Sequence, residues 1–212
     1  ANMKNSVFSA EVFYQTLSNI PRDGDDSFYD RNEFVFNSSW LYEDLDARAR
    51  SFGLELFYQR FLRNGWFAFA SGTLYESQTK PNESADYHIA RFNGNWIGNI
   101  AVGKEWTKGK TGKATVFGLH LRGVHRGGFW EKEVEYNYGY SSTGRRYTEN
   151  LPNYFRLDLR AYLRWNKPDK TTSLSLDIQN ATNYENVSHT NLRGFSDNFL
   201  QYETQLGLIP ML

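Results

Sequence analysis

Residues 154–165 read Tyr-Phe-Arg-Leu-Asp-Leu-Arg-Ala-Tyr-Leu-Arg-Trp, and how this stretch is read decides the fold. Phe155, Leu157, Leu159, Ala161, Leu163 and Trp165 share one parity; Arg156, Asp158, Arg160, Tyr162 and Arg164 share the other. Helical periodicity would scatter the two sets around the axis, whereas a strand sends successive side chains to opposite faces and sorts them completely. The following segment repeats the pattern, with Thr172, Leu174, Leu176 and Ile178 against Ser173, Ser175, Asp177 and Gln179. Between them Asn166-Lys167-Pro168-Asp169-Lys170 is a tight polar turn. A hairpin centred near Pro168 places Arg160 directly or diagonally across from Asp177, on the face opposite Leu159 and Leu176, with Asp158 beside Gln179 or Asp177.

Six further segments alternate less cleanly between Gly, Asn, Asp and Pro clusters: Ser6 to Ser18, Ala49 to Leu62, Trp66 to Tyr75, Asn95 to Trp106, Ala114 to Arg126 and Gln201 to Leu212. Their connections alternate long and short. Pro21 to Asp46, Glu76 to Gly94, Gly127 to Asn153 and Ala181 to Leu200 are long; Arg63 to Gly65, Thr107 to Lys113 and Asn166 to Lys170 are short. Outer-membrane barrels, with short periplasmic turns and longer extracellular loops, produce this rhythm. The expected fold is therefore all-β, about eight antiparallel transmembrane strands, with the turns at Asn64, Gly109 and Pro168 on one rim. Leu157, Leu159, Leu174, Leu176 and Ile178 are expected to face lipid.

Composition agrees. Aromatic residues make up 17% of the 212 residues, yet the mean hydropathy is −0.66, so large rings sit among many charges. No apolar run approaches the roughly 18 residues a spanning helix needs, which leaves strands as the means of crossing a bilayer. The absence of cysteine excludes disulfides, thiolate metal sites and cysteine nucleophiles. A net charge of zero, with no basic stripe, argues against a nucleic-acid partner. The first residues have neither the charged nor the apolar region of a leader, so export is expected from the barrel pattern, in a mature or partial chain.

Five stretches, in order, resemble TonB-dependent outer-membrane receptors, particularly the Bacteroidetes type. They are Phe8 to Gln15 followed by Asn19-Ile20-Pro21; Phe92 to Asn95 followed by Gly103-Lys104-Glu105-Trp106; Leu151 to Leu159; Leu174 to Asn183; and Gln205 to Pro210. The fourth resembles that family's penultimate strand and the fifth the start of its last. The resemblance implies that residues 1–212 are the C-terminal part of a barrel of about twenty-two strands. The end departs from the pattern, since the family's last strand usually runs on to a terminal aromatic residue and this chain stops at Met211-Leu212.

The resemblance implies a location in the bacterial outer membrane, its lipid as one partner, and uptake of a scarce or large nutrient of undefined chemistry. It also implies an N-terminal plug domain of the same polypeptide and an energy-transducing TonB protein that grips an N-terminal box; neither plug nor box is recognisable here. No enzyme activity and no cofactor are expected.

Arg156, Asp158, Arg160, Arg164, Asp177 and Gln179 are the expected lumen-facing polar residues. Trp130, Tyr136, Tyr138 and Tyr140, beside Glu131, Glu133 and Glu135, with Arg145 and Arg146 further along, are the ligand-loop candidates, because rings beside charges suit sugars or cations; interface aromatics with a solvated loop tip are the plainer reading. His88, His120, His125 and His189 lack metal-ligand spacing, and His120 and Arg122 are expected as lumen polar groups. Gly94, Gly98, Gly103, Gly127 and Gly128 suit bends and bulges, not a phosphate loop. The alternatives are a self-contained eight-strand barrel of structural or adhesive role, distinguished by pairing of its first and last strands, and a barrel enzyme, for which no nucleophile and base are visible.

Overall fold

The computed structural model describes the backbone of residues 2–3, 5–23, 26–27, 44–110, 113–137, 140–192 and 200–212, and the side chains of 5–21, 45–110, 113–132, 146–188 and 203–212. Among these residues the chain is all strand and turn. The strands are β1 (Asn2–Met3), β2 (Ser6–Asp23), β3 (Asp26–Ser27), β4 (Asp44–Arg63), β5 (Trp66–Lys80), β6 (His88–Ile89), β7 (Trp96–Lys110), β8 (Lys113–Arg126), β9 (Trp130–Asn137), β10 (Tyr140–Asn150), β11 (Tyr154–Asn166), β12 (Thr171–Gln179), β13 (Val187–Leu192), β14 (Leu200–Thr204) and β15 (Ile209–Met211).

One antiparallel sheet runs β1-β2-β4-β5-β7-β8-β11-β12-β15, with β3 and β6 as short returns on β2 and β5. Strand order follows chain order because each connection is a hairpin, the arrangement short turns permit. Asn64 and Gly65 both take positive φ (53° and 77°), the backbone a two-residue turn requires to match strand twist, and Arg63 pairs with Trp66 around them. Gly109, at φ 120°, serves the β7–β8 turn. Lys167 N–H donates to Lys170 O at 2.8 Å around Pro168. These three turns join β4–β5, β7–β8 and β11–β12, so alternation of strand direction puts all three on one rim, as expected. No pairing joins β2 to β12 or β15 among the described residues, and the sheet is open there.

The register matches the expectation for the best-defined hairpin: Arg160 pairs with Asp177, Leu159 with Ile178 and Ala161 with Leu176. Carried across the sheet, the pairings sort the side chains into two faces. The first face carries Phe8, Val12, Tyr14, Phe52, Leu54, Leu56, Trp66, Leu74, Ile100, Trp106, Phe117, Leu119, Leu159, Leu163, Trp165, Leu174 and Leu176, all of them exposed. Leu157 and Ile178 lie on the same face, half-exposed. Aromatic rings collect at its two ends. Trp66, Trp106, Phe117 and Trp165 lie toward the short turns; Tyr14, Phe52, Trp96 and Phe155 lie toward the long connections. Aliphatic side chains fill the space between. Lys104 stands among the turn-side rings, its Nζ 4.9 Å from the Trp66 centroid and donating to Asn64 O at 2.6 Å. An amine whose stem lies on apolar surface while its head reaches the rim is snorkelling.

The second face is polar and better covered: Ala49, Ser77, Thr79, Val116 and Tyr162 are all buried there. The distribution is the reverse of a water-soluble sheet, whose large aliphatic residues are covered and whose polar side faces solvent.

The strands and loops differ from the expected boundaries in several places. β2 runs on to Asp23 and β4 begins at Asp44, both inside the expected loop Pro21 to Asp46, because Arg22 still pairs with Asp44. β7 runs on to Lys110, inside the expected turn from Thr107, because the ladder to β8 continues as far as Lys110 and Lys113. β5 runs on to Lys80, where a loop from Glu76 is expected, because Ser77 and Gln78 bond across to Ser51 and Arg50 (2.9 and 2.7 Å) and keep the ladder closed. The connection Gly127 to Asn153 contains the hairpin β9–β10, outside the main sheet. The connection Ala181 to Leu200 contains β13, paired with β14. The expected strand Gln201 to Leu212 is divided: its first part belongs to that hairpin, and only Ile209–Met211 joins β12. Leu208 N–H donates to Asn183 Oδ1 at 2.9 Å, which diverts the backbone between the two parts.

Asparagines fasten the long connections to the sheet. Asn186, 3% exposed, offers its amide as a substitute strand: Oδ1 accepts from Phe155 N–H and Nδ2 donates to Phe155 O, both at 2.8 Å. Asn93, also buried, accepts from Ser77 N–H at 2.9 Å. Asn186→Ala strands both polar groups of Phe155 and is expected to cost about 1–3 kcal/mol, read as a lower midpoint in chemical unfolding; Asn186→Asp, whose buried carboxylate would face the Phe155 carbonyl oxygen, is expected to cost at least as much.

Candidate functional site

The polar face of β7, β8, β11 and β12 is where ionisable side chains converge. Arg156, Asp158, Arg160, Arg164, Asp177 and Gln179 all lie on it, brought together by register alone. Arg160 Nε is 3.6 Å from Asp177 Oδ1, with side chains 51% and 31% exposed. At that exposure the pair contributes about 0–1 kcal/mol. Asp158 binds Arg156 Nε at 2.7 Å and accepts from Asn180 N–H at 3.0 Å, fixing the β12 end to β11. Among the described residues Gln179 Nε2 reaches the Met211 sulfur, at 3.8 Å. The row alternates guanidinium and carboxylate without closing into a single buried network.

A second feature of this face is rings laid over glycine. Glu105, Gly118 and Tyr162 form one cross-strand row. The Tyr162 ring covers Gly118, and its hydroxyl donates to Glu105 Oε1 on the far side; Arg164 Nη2 lies 3.8 Å from the same oxygen. Phe67, Gly103 and His120 form the neighbouring row, with Phe67 and His120 edge to face at 4.9 Å above Gly103. His120 also meets Tyr162 at 5.2 Å, so the two rows pack as a unit. A strand without a side chain lets a neighbour's ring lie flat on the backbone, which is why only glycine fits these positions. A Cβ on Gly118 would meet Tyr162 ring atoms well inside contact distance. Gly118→Ala is expected to cost about 1–3 kcal/mol. In a Tyr162→Ala background most of that cost should vanish, and a double-mutant cycle without coupling would refute the ring-over-glycine contact.

Sequence spacing points to the polar row but not to the rings above it. Phe67 and Tyr162 read as members of alternating strands; only the register shows that each has glycine beside it. His120 has its Nε2 buried with no hydrogen-bond partner, between Phe67 and Tyr162. Among the described residues no three His, Asp or Glu side chains converge at ligand spacing.

The loop candidates divide. Trp130 is half-buried and donates its indole N–H to Asn93 O at 2.7 Å, so it braces the rim. Glu131 is paired with Arg91 at 3.0 Å. Arg146 is exposed on β10. Tyr136 and Tyr140 fall on the backbone of β9 and β10, but their side chains, those of Glu133, Glu135 and Arg145, and all of Tyr138 lie outside the described residues. A cluster the sequence does not announce is Arg126 at the end of β8, stacked on Phe129 and near Tyr154. Parity alone puts Arg126 on the polar face, yet the following Gly127-Gly128 reads only as a bend. Compared with known protein families, curated proteins and solved structures, the chain matches none.

Proposed function

We propose that this chain is a wall segment of an outer-membrane β-barrel of the TonB-dependent receptor type, which takes up a nutrient and makes or breaks no bond. The observation that carries the membrane part is the exposed aliphatic band between two groups of aromatic rings. Trp96 and Trp106 on β7, and Phe155 and Trp165 on β11, are each ten residues apart along a strand. At about 3.3 Å per residue and a tilt near 45°, that separation projects to about 23 Å, close to the ~25 Å apolar band of such barrels. In this reading the aliphatic face meets lipid and the polar face lines a lumen occupied by water and a plug. The row Arg156 to Asp177 then presents charges to the plug, and the TonB partner acts on residues outside this chain.

The receptor identity and the transported nutrient rest on the resemblance of the five stretches, on the long connections gathered at one rim, and on the open sheet. A self-contained eight-strand barrel needs β2 to pair with β12 or β15, and no described residue makes that pairing. Unpaired strand edges in hydrocarbon cost several kcal/mol per polar group, so further strands would have to cover them.

The chain contains no cysteine, which makes a labelling test direct. Leu159→Cys, Leu174→Cys, Arg160→Cys and Ser175→Cys, each carrying an environment-sensitive fluorophore in reconstituted vesicles, should divide by parity. The leucine sites are expected to be quenched by brominated lipid, and the other two by aqueous iodide. Equal quenching of all four by iodide would exclude the membrane face.

A further inference from the structure

Where β8 ends and β11 begins, Arg126 and Tyr154 are cross-strand partners on the polar face, at the rim of the long connections. The guanidinium carbon of Arg126 lies 3.7 Å from the centroid of Phe129 and 4.9 Å from that of Tyr154. Nη1 donates to Gly127 O at 3.1 Å, and no carboxylate among the described residues pairs with it. Rings stack on the faces of a guanidinium and leave its edge, where parallel N–H groups match the two oxygens of a carboxylate. Arg126 lines a hollow of about 200 Å³ together with Phe92, Leu151, Pro152, Val187, Ser188 and Gln205. Arg91 and Glu131 also line it and pair at 3.0 Å, so that among the lining residues Arg126 is the excess cation.

We propose that this hollow binds the carboxylate of an organic acid, forked on the edge of Arg126, with the acid's carbon skeleton against the apolar wall. The inference rests on the uptake reading and names its substrate class. One net positive charge balances one carboxylate, whereas a phosphate dianion would leave surplus negative charge beside Glu131. The volume lies below the ~300–1,000 Å³ of drug-sized pockets, so it takes a small acid or the acidic end of a larger ligand.

The test uses the full chain in nanodiscs, titrated calorimetrically with benzoate, benzyl alcohol, inorganic phosphate and N-acetylphenylalanine. Benzoate is expected to bind saturably, at least about tenfold tighter than benzyl alcohol, the difference a charge-assisted hydrogen-bond pair supports, and tighter than phosphate. Tighter binding of N-acetylphenylalanine than of benzoate would assign the site to a peptide carboxyl end, and the reverse to a free acid. Arg126→Gln should weaken benzoate at least about tenfold, Arg126→Lys should fall between because it keeps charge without the fork, and Glu131→Gln should tighten it. Glu131→Gln stays informative if Arg126→Gln fails to fold. Equal affinity for benzoate and benzyl alcohol, tighter phosphate, or an unchanged affinity in Arg126→Gln or Glu131→Gln overturns the proposal. The lipid-quenching pattern of labelled Leu159→Cys separates the two failures: intact quenching without acid binding removes the ligand class alone, and lost quenching removes the membrane reading.

Discussion

Leu159→Arg is expected to destabilise the protein in a bilayer by about 2–4 kcal/mol, the cost of a charge near the midplane on the lipid face of a barrel. Leu159 sits between Leu121 and Ile178 in its row and near the middle of the span from Phe155 to Trp165, so a longer side chain there has no rim within easy reach. Arg160→Leu, one residue further, removes a half-exposed ion pair with Asp177 and a 5.9 Å contact with the Tyr162 ring, and its expected cost is about 1 kcal/mol. The contrast between the two is the informative part. On a water-soluble sheet an exposed Leu→Arg change falls within about 0.5 kcal/mol of neutral. Denaturant unfolding from vesicles measures both variants side by side. A neutral Leu159→Arg beside a costly Arg160→Leu would turn the sheet inside out and end the membrane reading.

Gly128→Val is expected to cost about 3 kcal/mol or more, at the top of the range for overpacking, because what it strikes is backbone. An added Cβ would overlap Leu151 O and stand 3.2 Å from Pro152 O; at Gly127 it would overlap Gly94 O. A carbonyl cannot change rotamer to make room. The whole rim, where Gly94, Gly127 and Leu151 come together and Trp130 N–H bonds Arg91 O at 2.8 Å, has to move. Near-ultraviolet circular dichroism should register the displaced Trp130 while the far-ultraviolet sheet signal persists. Gly72→Ala is the control: a Cβ there would have nothing within 4 Å, and the substitution should leave stability nearly unchanged.

How much of the fold is legible in the sequence depends on whether the two faces of a strand differ in chemistry. β11 and β12 can be placed to within a residue or two, with their register, because every second position changes from aliphatic to polar or charged. That difference exists only across the apolar band. Beyond it, Glu76 to Lys80 are polar or charged on both faces, so parity carries no signal and the strand reads as loop. The hairpin β9–β10 is hidden for the same reason: Glu131, Lys132 and Glu133 are charged on both faces. Gln201 to Leu212 fails differently. Its alternation is fair, but Asn183 captures the Leu208 N–H from 25 residues away, and a contact so distant in sequence leaves no local mark. In the polar row, the expected residues come together because parity and register fix their face. The Arg126 hollow has no such signal, since it is made by separated segments that only the folded rim brings side by side.

The unequal lengths of the strands have a consequence for the time scale of backbone opening. β2 and β4 hold 18 and 20 residues, where β12 holds 9. At about 3.3 Å per residue the longer two extend about 60 Å, and crossing a ~25 Å apolar band at a 45° tilt uses only about 35 Å of that. On the proposed membrane reading the remaining ladder would stand in water, yet it is paired: Gln15 with Ser51, Thr16 with Arg50, Ser51 with Ser77. Amide hydrogens along that stretch should therefore exchange with solvent deuterium slowly, although no lipid shields them, while the β12 side of the rim, with little ladder above the band, exchanges fast. Protection would trace the height of the wall, tall on one flank and low on the other, and not the boundary of the membrane.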